Sequence, residues 1–197
     1  MMSPTHGPKM HVPGICSLLL MALLSSCGGV RTRGASPVAE RLQSSELGDM
    51  HNVSAIDGIW LGGLPTVDDL DLARRRGIER VIDLRIPEEP LVYDLRAECA
   101  RLELECISVN LQAADDLPNS AVDIVLQGLS EPDLKTLIFC GDGSRSAMFF
   151  AIHRVVQGGL DLEEALYEAR CAGMQPGSSE DFVRLQVERL GLPGPTE

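Results

Sequence analysis

The segment from residue 135 to residue 156 limits the fold of this chain more than any other part of the sequence. It begins with a short apolar stretch, KTLIF, continues through CGDGSRS, and ends in a ten-residue apolar run, AMFFAIHRVV. Val, Ile and aromatic residues bounded by glycine are typical of a buried strand, and the final run is long enough for a helix. The segment therefore predicts a strand, a tight turn and a helix in direct succession.

Strands and helices alternate along the rest of the chain. Short apolar stretches predict strands at 53–61, 80–84, 106–111 and 135–139. Amphipathic stretches predict helices at 66–77, 90–102, 119–129, 147–156, 162–171 and 179–190, the first of them opened by a capping box at Thr66. This alternation predicts an α/β protein with a mainly parallel central sheet flanked by helices.

Composition and charge exclude several classes of partner. The chain has 197 residues, with 17 Lys and Arg against 29 Asp and Glu and a net charge of −12. Affinity for nucleic acid comes mostly from clustered Lys and Arg, so we expect no nucleic-acid partner. The six cysteines form no C-x2-C pairs with histidine spacing, and the four histidines are scattered. We therefore expect no metal site and no cofactor.

The first residues have the features of an export signal. Residues 15–24 read ICSLLLMALL, which is too short to cross about 30 Å of bilayer hydrocarbon but suits a secretory signal. The sequence LSSC follows and ends at Cys27. It resembles the bacterial lipoprotein box, in which cleavage precedes the cysteine and the cysteine carries the lipid. An ordinary signal peptide with a cysteine near its cleavage site is the alternative.

These features divide the chain into four parts. They are a lipoprotein signal peptide over 1–26, a flexible tether over 27–50, a folded domain over 51–192 and a tail over 193–197. A lipid on Cys27 would hold the protein in the bacterial cell envelope, on the periplasmic or the outer surface, without a spanning helix. We expect that lipid to be the protein's contact with the membrane, and we expect a monomer.

The turn after the last predicted strand can place an anion beside a nucleophile. The carboxyl ends of parallel strands face the crevice where ligands bind, and Gly141 and Gly143 allow the backbone N–H groups there to converge. The helix N-terminus adds partial positive charge, and Arg145 adds a planar set of donors. In that environment the pKa of the Cys140 thiol falls and the sulfur becomes a nucleophile. The alternative is a glycine turn with a half-buried cysteine and an exposed arginine.

We therefore predict an anion site formed by Gly141, Asp142, Gly143, Ser144 and Arg145. Asp142 is unusual in such a site, because a carboxylate opposes anion binding unless it points to solvent.

The stretch from about residue 52 to residue 174 resembles the dual-specificity branch of the protein tyrosine phosphatases, especially bacterial members described as phosphatase-like or sulfurtransferase-like. The resemblance depends on IDGIWLGGLPTVDDLDLARRRGIERVIDLR, FCGDGSRS and AMFFAIHRVVQGGLDLEEALYEARCAGM. It implies a three-layer phosphatase fold and a phosphorylated substrate. It also implies that Cys140 takes the phosphoryl group, that Arg145 grips its equatorial oxygens and that Ser146 hydrogen-bonds the thiolate.

Two departures from the family pattern leave three functions open. Phe139 stands where the phosphatases have His, and four residues rather than five separate Cys140 from Arg145. A six-residue loop from Cys through Arg is what the rhodanese sulfurtransferases use. The candidates are a phosphatase that hydrolyses a phosphomonoester through a cysteinyl-phosphate, a sulfurtransferase that uses a Cys140 persulfide, and a non-catalytic protein that binds an anion or a phosphoprotein.

A phosphatase also needs a general acid for the leaving oxygen. Asp115 and Asp116 follow a predicted strand and precede a helix that starts near Pro118, so we predict that one of them supplies this proton. The alternative is that both only stabilise the N-terminus of that helix. We interpret Asp83 and Arg85 as a strand-end turn.

Two further cysteines, Cys99 and Cys106, follow on a predicted helix and the next predicted strand. An exported domain can oxidise such a pair, but we favour two thiols packed in the core.

Overall fold

The computed structural model describes residues 41–114 and 116–191. The predicted signal peptide, most of the predicted tether, Asp115 and the C-terminal tail lie outside the described residues. The six strands found within those ranges are β1 (Gln43–Ser44), β2 (Ser54–Ile56), β3 (Ile59–Gly62), β4 (Arg80–Asp83), β5 (Glu105–Ser108) and β6 (Thr136–Phe139). The helices are α1 (Val67–Arg75), α2 (Leu95–Arg101), α3 (Asn119–Gly128), α4 (Ser144–Val156), α5 (Leu162–Cys171) and α6 (Ser178–Arg189).

The strands form one mixed sheet in the order β1-β2-β3-β6-β4-β5. Strands β3, β6, β4 and β5 run parallel, whereas β1 and β2 are antiparallel to their neighbours. Every residue of β6 is buried, because the strand has neighbours on both sides and helices on both faces. The prediction of an α/β fold with a mainly parallel sheet is confirmed.

Helices cover both faces of this sheet. Leu137 and Phe139 of β6 pack with Leu70 of α1 and Cys99 of α2 on one face. Ile138, which points to the opposite face, joins a larger core with residues of α3, α4, α5 and α6. The alternation of β6 side chains between the two cores follows from the two-residue period of a strand. The fold is therefore a three-layer sandwich of helices, sheet and helices.

The capping box predicted at Thr66 is present. The Thr66 hydroxyl accepts the Asp69 N–H at 3.1 Å, and the Asp69 carboxylate accepts the Thr66 N–H at 2.8 Å. Gly77, with φ of +84°, follows the end of α1 in the left-handed region that glycine adopts without strain. The sequence therefore predicted both ends of α1 correctly.

The folded part begins earlier than the predicted boundary at residue 51. Gln43 and Ser44 form β1 against β2, Leu47 is wholly buried, and the Asp49 N–H donates to Asp69 at 2.8 Å. The part of the predicted tether from residue 43 to residue 50 is therefore packed on the domain. A strand of two residues has no hydrophobic period to detect, since backbone pairing rather than side-chain pattern holds it.

Two predicted elements are shorter than expected. The helix predicted from Pro90 begins only at Leu95, because Asp94 caps it by accepting the Ala97 N–H. The residues before Asp94 form a loop, in which the Tyr93 hydroxyl donates to the Pro65 carbonyl at 2.8 Å. The strand predicted over 106–111 is Glu105–Ser108. The loop between β4 and α2 is consequently long enough to reach the end of β6.

Candidate active site

Cys140 lies at the carboxyl end of the central strand β6, at the base of the turn that leads into α4. The residue is wholly buried, and its N–H donates to the Gly62 carbonyl at 3.3 Å. The Gly143 N–H donates to the Cys140 Sγ at 3.2 Å. The N–H of Gly143, the N-cap residue of α4, thus holds the sulfur at the base of the turn.

The turn needs glycine at Gly143. Its φ is +94°, and a Cβ added there would lie 3.2 Å from the Asn52 Cβ and 3.3 Å from the Gly62 carbonyl carbon. The Asn52 side-chain amide also donates to the Asp142 carbonyl at 2.7 Å. The turn therefore packs closely on the residues before β2 and at the end of β3, and these contacts fix its position.

Arg145 lies in the first turn of α4 and is buried, not exposed as in the alternative interpretation. Its Nη1 donates to the Leu84 carbonyl at 2.6 Å and to the Glu89 Oε2 at 2.9 Å, and its Nη2 donates to the Glu89 Oε1 at 2.6 Å. Burial acts to lower the pKa of Arg145, but the hydrogen bonds to Glu89 and the negative charge around it outweigh burial and raise the pKa. The cation is thus fixed in place.

The contacts of Arg145 leave one edge of the guanidinium available. Glu89 takes the end formed by Nη1 and Nη2, and Nε has no partner among the described residues. The remaining N–H groups of Nε and Nη2 point in parallel along one side, which is a geometry that matches two oxygens of a tetrahedral oxyanion. Arg145 can therefore bind an anion without releasing Glu89.

Glu89 is a site residue that the sequence reasoning did not identify. Its Oε2 accepts the Ile86 N–H at 3.1 Å, and a Cβ added to Gly141 would meet its Oε1 at 2.1 Å. Burial would raise the pKa of Glu89, but hydrogen bonds from Arg145 and from the backbone lower it. The carboxylate is therefore held ionised against the turn, and Gly141 is the residue that makes room for it.

Asp142 is exposed, yet its carboxylate turns back toward the sulfur. Its Oδ1 accepts the Ser144 N–H at 2.9 Å and the Ser144 hydroxyl at 2.7 Å, and it lies 3.7 Å from the Cys140 Sγ. Burial would raise the pKa of Asp142, but the two hydrogen bonds from Ser144 and the one from the Cys140 thiol lower it. The sequence analysis expected this carboxylate to point to solvent if the turn binds an anion. In the structure it lies near the sulfur instead.

The structure gives Ser146 a different contact from the one that the resemblance implies. Ser146 is wholly buried and its hydroxyl donates to the Gly62 carbonyl at 3.3 Å. A hydroxyl has one hydrogen, so it cannot donate to the thiolate at the same time. In this structure Ser146 joins the turn to β3, and any contact with the sulfur requires rotation of its side chain.

Phe139 is buried beneath the site, at the position where the family has His. The Arg85 guanidinium lies 5.8 Å from the centre of its ring. Arg85 also donates to Asp83 through Nε at 2.9 Å and through Nη2 at 2.7 Å, and its N–H donates to the same carboxylate. Asp83 and Arg85 thus satisfy each other, which agrees with a strand-end turn.

The turn opens into a cleft of about 660 Å³. Residues of the turn and of the β4–α2 loop line it together with residues of α4, of α6 and of the loop before α3: Glu89, Ala114, Leu117, Asp142, Ser144, Arg145, Met148, Ser178, Ser179, Asp181, Phe182 and Leu185. Asp116 is exposed and lies between Ala114 and Leu117 in the chain, so its loop borders the cleft. Asp115 lies outside the described residues. The general acid predicted in this loop stays a prediction.

The other cysteines of the described ranges are free thiols. Cys99 is buried between α2 and the sheet, and its interaction with the Cys106 thiol lowers the pKa of Cys106 and raises that of Cys99. This agrees with the preferred interpretation of two packed thiols.

Neither a metal site nor a membrane span is found among the residues that the structure describes. No group of three or more His, Cys, Asp and Glu side chains there is arranged to hold a metal ion. None of the helices there has both the length and the apolar character that a membrane span requires.

The architecture is shared with known phosphatase structures. TpbA of P. aeruginosa superposes with a TM-score of 0.61 at 22% identity, over 78% of this chain and 95% of TpbA. Tk-PTP in its active form gives 0.58 at 23% identity, over 66% of this chain and 91% of Tk-PTP. The kinase associated phosphatase gives 0.60 at 15% identity, over 67% and 86%. No protein-family model and no curated protein matches the sequence. The chain therefore has the fold of the tyrosine and dual-specificity phosphatases.

Proposed function

We propose that this protein is a cysteine-dependent phosphatase that hydrolyses a phosphomonoester through a cysteinyl-phosphate. One observation carries the proposal: the Cys140 Sγ accepts the Gly143 N–H at 3.2 Å, beside a buried Arg145 whose Nε edge has no partner among the described residues. The fold supports it, and TpbA has been crystallised in complex with phosphotyrosine.

The first step is attack of the Cys140 thiolate on phosphorus. The S–P bond forms as the bond from phosphorus to the leaving oxygen breaks, with the three remaining oxygens in the equatorial plane. The free edge of Arg145 and the backbone N–H groups of the turn stabilise the charge on those oxygens. We assign the proton for the leaving oxygen to Asp116 or Asp115, whose loop borders the cleft.

The second step is attack of water on the cysteinyl-phosphate. The same aspartate, now ionised, accepts a proton from the water, the O–P bond forms and the S–P bond breaks. Inorganic phosphate leaves, and the Cys140 sulfur is regenerated. Every step uses groups of this chain and water, so the proposal requires no metal and no cofactor.

A non-catalytic anion-binding protein is the second candidate. The Asp142 carboxylate lies 3.7 Å from the Cys140 Sγ, and a negative charge beside the sulfur opposes an incoming anion. A sulfurtransferase is the remaining alternative, because the loop from Cys140 through Arg145 has six residues. The same experiment tests it.

The deciding experiment compares the full chain with Cys140→Ser and with Cys171→Ser, the exposed thiol, as the matched control. We expect reducing buffer and an aryl phosphate to give turnover in the parent and the control, and acid quenching to trap a phosphorylated Cys140. We expect Cys140→Ser to abolish both. Cys140-dependent thiocyanate formation from thiosulfate and cyanide, without phosphate release, would identify a sulfurtransferase. Folded protein without either activity would identify the binding protein.

We further propose that the protein acts in the bacterial cell envelope, anchored by a lipid on Cys27. The support is the LSSC sequence that follows the apolar run. We expect Cys27→Ala to move the protein from the membrane fraction to the soluble fraction. An unchanged distribution would refute the anchor.

A further inference from the structure

The carboxylate of Asp142 lies beside the sulfur that a substrate must approach. A near-attack geometry places phosphorus about 3–3.5 Å from the attacking atom. The phosphoryl oxygens are one bond from phosphorus, so they enter the shell around the Cys140 Sγ in which Asp142 Oδ1 lies, at 3.7 Å. Asp142 and Arg145 also line the same cleft, so an oxyanion held by Arg145 beside the sulfur comes close to the Asp142 carboxylate unless that side chain moves.

Leaving is unfavourable for Asp142 because its carboxylate accepts two hydrogen bonds from Ser144. It would give up the Ser144 N–H at 2.9 Å and the Ser144 hydroxyl at 2.7 Å. Hydrogen bonds to an ionised group are stronger than those between neutral groups. These two bonds therefore favour a complex in which Asp142 stays.

The surrounding charges do not neutralise Asp142. It faces the Cys140 thiol from β6 and the Arg145 guanidinium from α4, but the Arg145 charge is already matched by its ion pair with Glu89 from the β4–α2 loop. Asp181 of α6 adds another negative charge to the cleft. A fully ionised oxyanion beside Asp142 is therefore repelled. An oxyanion that carries a proton can instead donate it to the carboxylate and form a short charge-assisted hydrogen bond.

We propose that Asp142 is the specificity-determining residue of this site, which accepts tetrahedral oxyanions that carry a proton and rejects those that do not. Hydrogen phosphate, dihydrogen phosphate and the monoanion of a phosphomonoester belong to the first class, and sulfate and sulfate esters belong to the second at neutral pH. The inference deepens the proposed function, because it defines the protonation state of the phosphomonoester that binds. It also explains how a site with an inward carboxylate can receive an anion.

The test is a binding measurement, so it does not depend on turnover. Calorimetric titration of the full chain with inorganic phosphate and with sulfate is expected to show phosphate bound at least about tenfold more tightly, the equivalent of one such hydrogen bond. Asp142→Asn keeps an oxygen that accepts from Ser144 but removes the charge. We expect it to gain affinity for sulfate and to bring the two affinities within about threefold of each other.

Asp181→Asn is the matched control, since it removes one charge from the same cleft without touching the turn. We expect it to strengthen the binding of both ions to a similar extent and to preserve their ratio. Equal binding of phosphate and sulfate by the parent chain would overturn the proposal. An equal gain for both ions in Asp142→Asn would also overturn it, because Asp142 would then act only as a general repulsive charge.

The parent chain supplies a second measurement if Asp142→Asn does not fold. The complex retains one proton between Asp142 and the ligand, and the second pKa of a phosphomonoester is about 6. Affinity for a non-hydrolysed phosphomonoester analogue should therefore fall about tenfold per pH unit above that value. An affinity independent of pH from 6.5 to 8.5 would refute the shared proton, whereas absent activity with the expected slope would refute only the proposed catalysis.

Discussion

Two buried arginines at opposite ends of the sheet make different use of similar surroundings. Arg80 starts β4 and is 4% exposed, and Arg145 lies in the first turn of α4, beyond the end of β6, and is 8% exposed. Arg80 donates through Nε to Glu105, through Nη1 to the Gly128 carbonyl and through Nη2 to Glu131. Arg145 uses Nη1 and Nη2, and its Nε has no partner within the described ranges.

The difference shows what distinguishes a binding arginine from a structural one. Burial and ion pairing are common to both, so neither property identifies function. Arg80 uses all three guanidinium nitrogens within the protein, at the amino ends of the parallel strands. Arg145 keeps a free edge at the carboxyl ends, where a crevice forms between loops and helices. We therefore place the proposed anion site at the unused donors of Arg145.

The largest expected effect is that of Arg145→Lys on catalysis. An ammonium group cannot reproduce the two parallel N–H groups of the guanidinium edge, and it cannot keep both contacts to Glu89. We expect kcat/KM for an aryl phosphate to fall about 10²–10³-fold. Parental activity in this variant, with circular dichroism showing that it is folded, would contradict the role assigned to the free edge of Arg145.

Arg80→Lys is the corresponding change at the other end of the sheet. An ammonium cannot reach both glutamates and the Gly128 carbonyl, which would leave that buried carbonyl without a partner. We expect the free energy of unfolding in urea to fall by about 1–3 kcal/mol, with kcat/KM unchanged. Loss of activity without loss of stability would contradict the structural role.

Glu89→Gln sharpens the comparison by loosening Arg145 without removing it. Gln can accept one hydrogen bond from Arg145 but carries no charge, so the guanidinium is positioned less firmly. We expect kcat/KM to fall about tenfold, the equivalent of one charge-assisted bond.

The same variant tests the pH dependence of the ion pair. The folded pKa of Glu89 lies below its unfolded value of about 4.3, because the hydrogen bonds from Arg145 and the backbone outweigh burial. The stabilisation is present above that pH and is lost as the pH falls through the folded pKa. The difference in unfolding free energy between parent and variant should therefore shrink on acidification, and a difference that grows would refute this assignment.

The smallest effect is expected at Arg154, a buried arginine of α4 that faces away from the cleft. Its Nε donates to the Glu168 Oε2 at 3.0 Å. We expect Arg154→Lys to lower the unfolding free energy by about 1 kcal/mol and to leave kcat/KM unchanged. If its catalytic loss matched that of Arg145→Lys, the free edge of Arg145 would not explain the difference.

The sequence predicted those parts of the fold and of the site that are contiguous in the chain. The strand, turn and helix around Cys140 were predicted from neighbouring residues, and so were the caps of α1 and the alternation that defines the sheet. The two-residue β1 and the burial of Leu47 were missed, because neither leaves a periodic pattern. The start of α2 was placed too early, since apolar spacing in the loop before Asp94 continues that of the helix.

Glu89 shows why part of the site could not be predicted. It lies 56 residues before Arg145 in the chain, in a loop with several acidic residues. Only the order of the strands, with β4 beside β6, brings that loop to the Cys140 turn. The orientation of Asp142 was likewise hidden, because a residue's place in a turn does not fix where its carboxylate points.

By itself, the sequence of this protein determined that a cysteine and an arginine share a glycine turn at the end of a buried strand, because local propensity acts between residues close in the chain. Only the tertiary structure decided that Glu89 fixes Arg145, that Ser146 donates to Gly62, and that Asp142 faces the sulfur. Those contacts depend on strand order and on competition among donors in a low-dielectric site. Long-range packing determines the strand order and brings the competing donors together.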